Sequence, residues 1–227
     1  MKIAEIFYSI QGEGILAGVP SVFVRTSGCN LRCTWCDTPY TSWAPEGREM
    51  PLDEILTEVR RYAASHVVVT GGEPMIADGV IVLTQGLREL GLHITIETAG
   101  TVSRAVVCDL MSISPKLSNS IPSERDGGRW AAQHDRLRYQ PEVLKDLMAR
   151  YAYQLKFVVA APQDLGEIDR ILRETNADRT RVILMPEGID SRTLAERASW
   201  LAEICKSEHF RYGPRLHIDL YGNQRGV

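Results

Sequence analysis

The chain lacks any long hydrophobic run, any marked excess of one charge and any internal repeat, and each absence removes a class of protein. No window approaches the roughly 18 successive apolar residues that a membrane-spanning helix needs. Residues 1–7 carry Lys2 and Glu5 where a signal peptide would carry an apolar stretch. A soluble, cytoplasmic protein without membrane contact is the expectation. Lys and Arg total 26 against 29 Asp and Glu, a formal net charge of −3. A chain built to grip a phosphate backbone shows a basic excess, so no nucleic-acid partner is expected. A small anionic substrate held by one or two arginines remains compatible with this balance. No Pro- or Ser-rich linker or low-complexity tract divides the 227 residues. One domain, 1–227, is expected, long enough to bury its own core. Cysteines are few and odd in number, five, which argues against a disulfide framework.

What is present is concentrated. Three of the five cysteines, Cys29, Cys33 and Cys36, fall in the run Gly28-Cys29-Asn30-Leu31-Arg32-Cys33-Thr34-Trp35-Cys36-Asp37, with spacing C-x3-C-x2-C. Cys108 and Cys205 stand alone in apolar surroundings and read as small buried hydrophobes. Three thiolates on one loop suit a metal centre. A structural zinc takes four ligands, and the nearest histidine, His66, lies thirty residues beyond Cys36. An iron–sulfur cluster held by three thiolates fits better, because its fourth iron stays open to a non-protein ligand.

Short apolar runs alternate with helical periods along the chain. Strands are expected at 21–25, 67–69, 93–96, 110–113, 155–159, 181–185 and 216–220. Leu52, Ile55, Leu56, Val59 and Tyr62 recur at helical spacing, as do Val80, Leu83, Leu87 and Leu90, and further helices are expected near 141–150, 163–174 and 191–206. The alternation implies an α/β fold of parallel βα units. A closed eightfold barrel runs to about 250 residues, so a partial, open parallel βα barrel is the expected architecture. The polar stretch 117–138 interrupts the pattern and is expected to form a loop or flap over the site.

Parallel βα folds place ligands at the carboxyl ends of their strands. Those ends carry Arg25, then Thr70-Gly71-Gly72-Glu73-Pro74, Glu97-Thr98-Ala99-Gly100, Ser114-Pro115-Lys116 and Met185-Pro186-Glu187-Gly188. Gly72 lets backbone approach a ligand closely, Glu73 can accept from an ammonium, and Ser114 and Lys116 offer a hydroxyl and a cation. The segment Ile10-Gln11-Gly12-Glu13-Gly14 precedes the cysteines.

The C-x3-C-x2-C spacing with Trp35 before the last cysteine, followed by Gly-Gly-Glu-Pro, resembles the radical S-adenosylmethionine (SAM) superfamily. The Gln-Gly-Glu-Gly segment, Phe23 to Cys29, Cys36-Asp37-Thr38, Thr70 to Pro74, Glu97-Thr98, Ser114-Pro115-Lys116 and the ending Tyr221 to Val227 together resemble the 7-carboxy-7-deazaguanine synthase family. That resemblance implies a [4Fe–4S] cluster on Cys29, Cys33 and Cys36, with SAM chelating the open iron and cleaved to a 5′-deoxyadenosyl radical. It implies 6-carboxy-5,6,7,8-tetrahydropterin as substrate, ring contraction with loss of ammonia, and SAM regenerated. Trp35, Cys36, Asp37, Gly72, Glu73, Ser114, Pro115, Lys116 and Met185 would hold SAM. Ile10, Gln11, Gly12, Glu13, Arg25, Thr70 and Val227 would hold the pterin, with Arg25 clamping its carboxylate. Thr38 would contact Mg²⁺, an external flavodoxin-like protein would supply the electron, and the enzyme would be a homodimer. Two departures stand out: Ala99 where relatives often carry an amide, and the 185–188 segment without its expected glutamine. An activating enzyme for a protein radical and a non-enzymatic zinc module are the competing interpretations.

Overall fold

The computed structural model describes residues 1–227. Its strands are β1 (Lys2–Ile10), β2 (Pro20–Thr26), β3 (Arg48–Glu49), β4 (His66–Gly71), β5 (His93–Thr98), β6 (Leu110–Ile113), β7 (Tyr153–Val159), β8 (Val182–Pro186) and β9 (Arg211–Tyr212). The helices are α1 (Pro39–Ser42), α2 (Leu52–Arg60), α3 (Val80–Glu89), α4 (Ala131–Arg138), α5 (Pro141–Arg150), α6 (Asp164–Thr175), α7 (Ser191–Glu208) and α8 (Leu216–Tyr221). One sheet runs β3-β1-β2-β4-β5-β6-β7-β8-β9. From β2 onward every pairing is parallel, whereas β1 meets β2 and β3 antiparallel. The outer strands do not pair with each other, so the barrel is open and incomplete, as expected.

Strand alternation explains both faces of this sheet. Val22 and Val24, Val67 and Val69, Ile94 and Ile96, Met111 and Ile113, Leu155, Phe157 and Val159, and Val182 and Leu184 all join the main core, packed with α2, α3, α5, α6 and α7. Their sequence neighbours Phe23, Arg25, Thr70, Glu97, Ser112, Lys156, Val158 and Met185 line the cavity inside the barrel. A period of two therefore sends apolar residues under the helices and chemically useful ones into the lumen. Helix ends follow ordinary chemistry: the Asp190 carboxylate accepts from Thr193 N at 2.9 Å to open α7, and Asn176 closes α6 in the left-handed region at φ 51°.

Three features depart from expectation. Residues 216–220 form helix α8, not the last strand. Leu216, Ile218 and Leu220 alternate as a strand would, but Leu220 is 54% exposed and only Ile218 of α8 is buried. The edge position beside β8 belongs instead to the two-residue β9. Strand β1 escapes pattern recognition because a register shift between Ile3 and Glu5 breaks its alternation. The stretch 117–138 is largely helical: short 3₁₀ turns at Ser118–Ser120 and Arg125–Gly128 lead into α4.

Candidate active site

The cysteine loop leaves β2 at Thr26 and is held by backbone contacts from three directions. Gly28 N donates to Thr41 O at 2.9 Å, and Glu73 N donates to Gly28 O at 2.9 Å. A Cβ on Gly72 would lie 2.1 Å from that same Gly28 carbonyl, so only glycine lets the β4 end press against the cysteine loop. Trp43 Nε1 donates to Cys33 O at 3.0 Å, and Leu31 N points at Cys29 Sγ at 3.3 Å. Cys29, Cys33 and Cys36 all line one cavity of ≈ 470 Å³. Burial pushes the Cys29 thiol up to about 12 and the Cys33 thiol higher still, with negative neighbours adding to the effect on Cys29. Such groups become thiolates only beside strong positive charge, which an iron centre supplies. A structural zinc takes four protein ligands, and the three thiols supply one fewer, the number that a cluster with one open iron requires. The donor set fits a three-cysteine cluster.

The charged part of the cavity lining is assembled from distant segments. Lys156, whose side chain is only 3% exposed, bridges Glu13 at 3.0 Å and Glu97 at 3.2 Å. Arg215 bridges Glu13 at 3.1 Å and reaches Asp37, the residue after Cys36. The result is an alternating chain, Glu97–Lys156–Glu13–Arg215–Asp37. Burial alone would favour the neutral forms of Glu13 and Lys156. Instead Lys156, Arg215 and His217 hold the Glu13 carboxyl below the ordinary carboxylate range, and Glu97 and Glu13 keep Lys156 charged above the usual lysine range. Burial opposes ionisation of Asp37 too, and the Arg215 guanidinium overrides it, holding that carboxyl low. Thr70 Oγ1 and Gln11 Nε2 donate to the two oxygens of Glu97 at 2.9 and 3.3 Å. Arg25, next to Thr70 in register, gives its Nε to Glu5 at 2.6 Å, while its terminal nitrogens make no hydrogen bond within the chain.

A family model described as the radical SAM superfamily matches residues 23–116, the span from β2 through the Ser114-Pro115-Lys116 strand end. The 7-carboxy-7-deazaguanine synthase of Halobacterium salinarum is 47% identical over 234 residues, covering 98% of this chain and 91% of that protein. The one from Rhodopirellula baltica is 46% identical, covering 100% of this chain and 89% of its own. The crystal structure of QueE from Escherichia coli superposes with a TM-score of 0.69 at 27% identity, over 93% of this chain and 92% of that one. This chain belongs to the 7-carboxy-7-deazaguanine synthase family. Its parallel strands and open barrel are those of a radical SAM enzyme.

The family's expected residues meet in one place, with two exceptions. Ile10, Gln11, Gly12, Glu13, Arg25, Trp35, Asp37, Thr38, Thr70, Gly72, Ser114, Lys116, Met185 and Val227 line the same cavity as the three cysteines. Glu73 does not. It is fully buried, and its carboxylate accepts from Met75 N at 3.0 Å, Thr98 Oγ1 at 2.7 Å and Ala99 N at 2.8 Å. It ties the end of β4 to the end of β5, so its placement does not support an ammonium-accepting role. Pro115 is buried and outside the lining, shaping the turn between Ser114 and Lys116. Those two touch directly, Lys116 Nζ donating to Ser114 Oγ at 2.8 Å. The departures are also placed: Ala99 and Met185 line the cavity, whereas Pro186, Glu187 and Gly188 do not. Glu187 pairs with Arg197, and the Gly188 carbonyl accepts from Arg215 at 2.5 Å.

Lys156, Arg215 and His217 were not expected. Lys156 carried a signal, a lone cation inside the apolar run Leu155-Lys156-Phe157-Val158-Val159. Arg215 and His217 had none, because α8 brings them in from the far end of the chain. Leu216 N donates to Gly12 O at 2.9 Å. A Cβ on Gly12 would lie 2.0 Å from His217 Nδ1, so Gly12 is what lets α8 seat. Residues 223–227 continue into the lining, and Arg225 anchors them to Glu46 at 2.8 Å and Glu5 at 3.3 Å.

Proposed function

We propose that this chain converts 6-carboxy-5,6,7,8-tetrahydropterin to 7-carboxy-7-deazaguanine with release of ammonia, for deazapurine and queuosine synthesis. The observation that carries this is one cavity lined by three cluster-competent thiols together with Arg25, Gln11, Thr70 and Glu97. Substrate equals product plus ammonia, so no net oxidation or reduction occurs.

When bound, the cluster and SAM supply one-electron cleavage and hydrogen-atom abstraction at pterin C6. The chain's own residues supply the rest. Cys29, Cys33 and Cys36 hold the cluster. Trp35, Asp37, Gly72, Ser114, Lys116 and Met185 hold SAM: Lys116 and Ser114 offer a cation and a hydroxyl, and buried Met185 offers an apolar surface for adenine. The free terminal nitrogens of Arg25 take the pterin carboxylate as a fork. Gln11, Thr70 and Glu97, locked to one another, present donors and acceptors to the pterin ring, with Ile10, Gly12, Glu13 and Val227 completing its enclosure. Thr38 lines the cavity next to Asp37, and its hydroxyl would hold Mg²⁺, which would supply positive charge for the substrate carboxylate. An external flavodoxin-like donor primes the cluster. Five free thiols and an oxygen-labile centre suit a reducing cytoplasm, and the working form is a homodimer, which light scattering would measure.

Anaerobic reconstitution followed by dithionite, SAM and 6-carboxytetrahydropterin, with and without Mg²⁺, tests the proposal. Deazaguanine and one ammonia per turnover are expected, with SAM not consumed in proportion and the rate falling when Mg²⁺ is chelated. Brown protein that cleaves SAM but leaves the pterin untouched would overturn the substrate assignment.

A further inference from the structure

His134 is 1% exposed and lies outside the cavity lining, yet it sits at the centre of the contacts that hold the cysteine loop. The backbone N–H of Arg32, between the first and second cysteines, donates to His134 Nδ1 at 3.0 Å. The other ring nitrogen lies 2.9 Å from Ser120 Oγ, and that hydroxyl donates to Leu117 O at 2.6 Å. The donors leave one arrangement: Nδ1 must accept from an amide, so it is bare, and Nε2 carries the proton to a serine oxygen whose own hydrogen is spent on Leu117. One neutral tautomer satisfies all three groups.

The surrounding segment grips the same loop elsewhere. Thr34, between the second and third cysteines, has both its peptide groups taken. Its N–H donates to Ser120 O at 2.9 Å, and its carbonyl accepts from Arg125 at 2.9 Å. Leu137 of α4 packs on the small cluster of Leu31, Cys33 and Ala99. The segment is in turn fixed to the barrel. Arg138 donates to Lys116 O at 3.0 Å and Glu167 at 2.7 Å, and Asn119 donates to Val158 O at 3.1 Å and Asp164 at 2.8 Å.

We propose that His134 is a positioning residue for the cluster: its bare Nδ1 fixes the Arg32 peptide, and the 118–138 segment is the clamp that carries this constraint from the barrel to the cysteine loop. The proposal rests on the assignment of the three cysteines as cluster ligands, which supplies what the clamp protects. Without the imidazole, the part-buried Arg32 N–H loses its partner and the loop between Cys29 and Cys33 gains freedom.

Two amides distinguish this from general packing, because Asn places its oxygen where Nδ1 lies and Gln places its terminal group where Nε2 lies. On the reconstituted full-length enzyme, His134→Gln and His134→Leu are expected to speed amide hydrogen exchange across 30–36 by about tenfold. The same variants are expected to release iron to a chelator on the order of tenfold faster. His134→Asn is expected to stay within about twofold of the parent in both. Exchange and iron release unchanged in His134→Leu would overturn the proposal, as would a His134→Asn enzyme that behaves like His134→Gln. Should the Leu variant not fold, the Asn–Gln pair decides alone. A parent enzyme that takes up no iron and sulfide would remove the cluster assignment, while exchange across 30–36 in that same chain would still decide the clamp.

Discussion

The two halves of the cavity lining are built by opposite means. The cysteine half comes from one continuous stretch, Cys29 to Thr38, and is held by backbone hydrogen bonds, with burial raising the Cys29 and Cys33 thiol pKa values. The charged half joins residues as far apart as Glu13 and Arg215, 202 positions in sequence, and is held by buried ion pairs. A local motif can fix metal ligands because a short loop brings them together. The charged half exists only once the barrel has formed and α8 has folded back against Gly12. Asp37 and Arg215 are where the two halves touch. Each half should therefore fail in its own way, and only the junction should fail in both.

The largest expected effect is on the cysteine half. Cys33→Ala should abolish product formation and leave the protein without stoichiometric iron and sulfide, as elemental analysis would show. Its fold should survive, since the rest of the loop keeps its backbone contacts. In the charged half, Lys156→Met leaves the half-buried Glu13 and Glu97 without their shared, buried cation. Breaking a buried pair from one side costs about 3–5 kcal/mol, which denaturant unfolding would read, while iron content per folded chain stays at the parent level. Buried ion pairs add little over an apolar alternative, so this loss would measure the stranded charges more than the worth of the pair.

A smaller effect is expected at the junction. Arg215→Lys keeps the charge but not the fork that spans Glu13, Asp37 and the Gly188 carbonyl. We expect kcat/KM to fall by roughly tenfold, the loss of about 1.4 kcal/mol of transition-state stabilisation, with the KM for SAM and for pterin both raised. A rise confined to one of them would show that Asp37 and Glu13 are not coupled through Arg215.

The smallest effect concerns pH. Burial, then the nearby cations Arg138 and Lys116, lower His134 from its ordinary 6.5 to about 4, against the weaker pull of Asp135. The folded state thus keeps the ring neutral where the unfolded chain would protonate it. This contribution to stability is whole above pH 6.5 and fades as pH falls from 6.5 toward 4. Thermal unfolding across that window should show a slope that His134→Asn flattens. An unchanged slope would show that the ring is not held neutral.

The same contrast explains what was legible in the sequence. The cysteine spacing, the Gly-Gly-Glu-Pro turn and the βα alternation are local signals, and the strand ends they predict do surround one cavity. Glu73 shows the limit of motif reading: the residue type is right for an ammonium, but its carboxylate is consumed by Thr98, Ala99 and Met75. Strand β1 was hidden by its bulge, and α8 imitated a strand through a two-residue alternation that buries nothing at Leu220. Arg215 and His217 could not be read at all, because nothing near them in sequence says that α8 packs on Gly12. The helical nature of 118–138 was equally silent, since its polar residues face the cysteine loop and the barrel through hydrogen bonds instead of an apolar stripe.

The most direct test of this division is equilibrium binding of 6-carboxytetrahydropterin, without SAM, to folded Cys33→Ala and Lys156→Met proteins side by side. The account predicts that Cys33→Ala, devoid of cluster, binds the pterin within about threefold of the parent, under 1 kcal/mol of change. Lys156→Met, with its cluster intact, should lose at least about tenfold in affinity. Equal pterin affinity in the two variants, or loss of binding in Cys33→Ala alone, would contradict it.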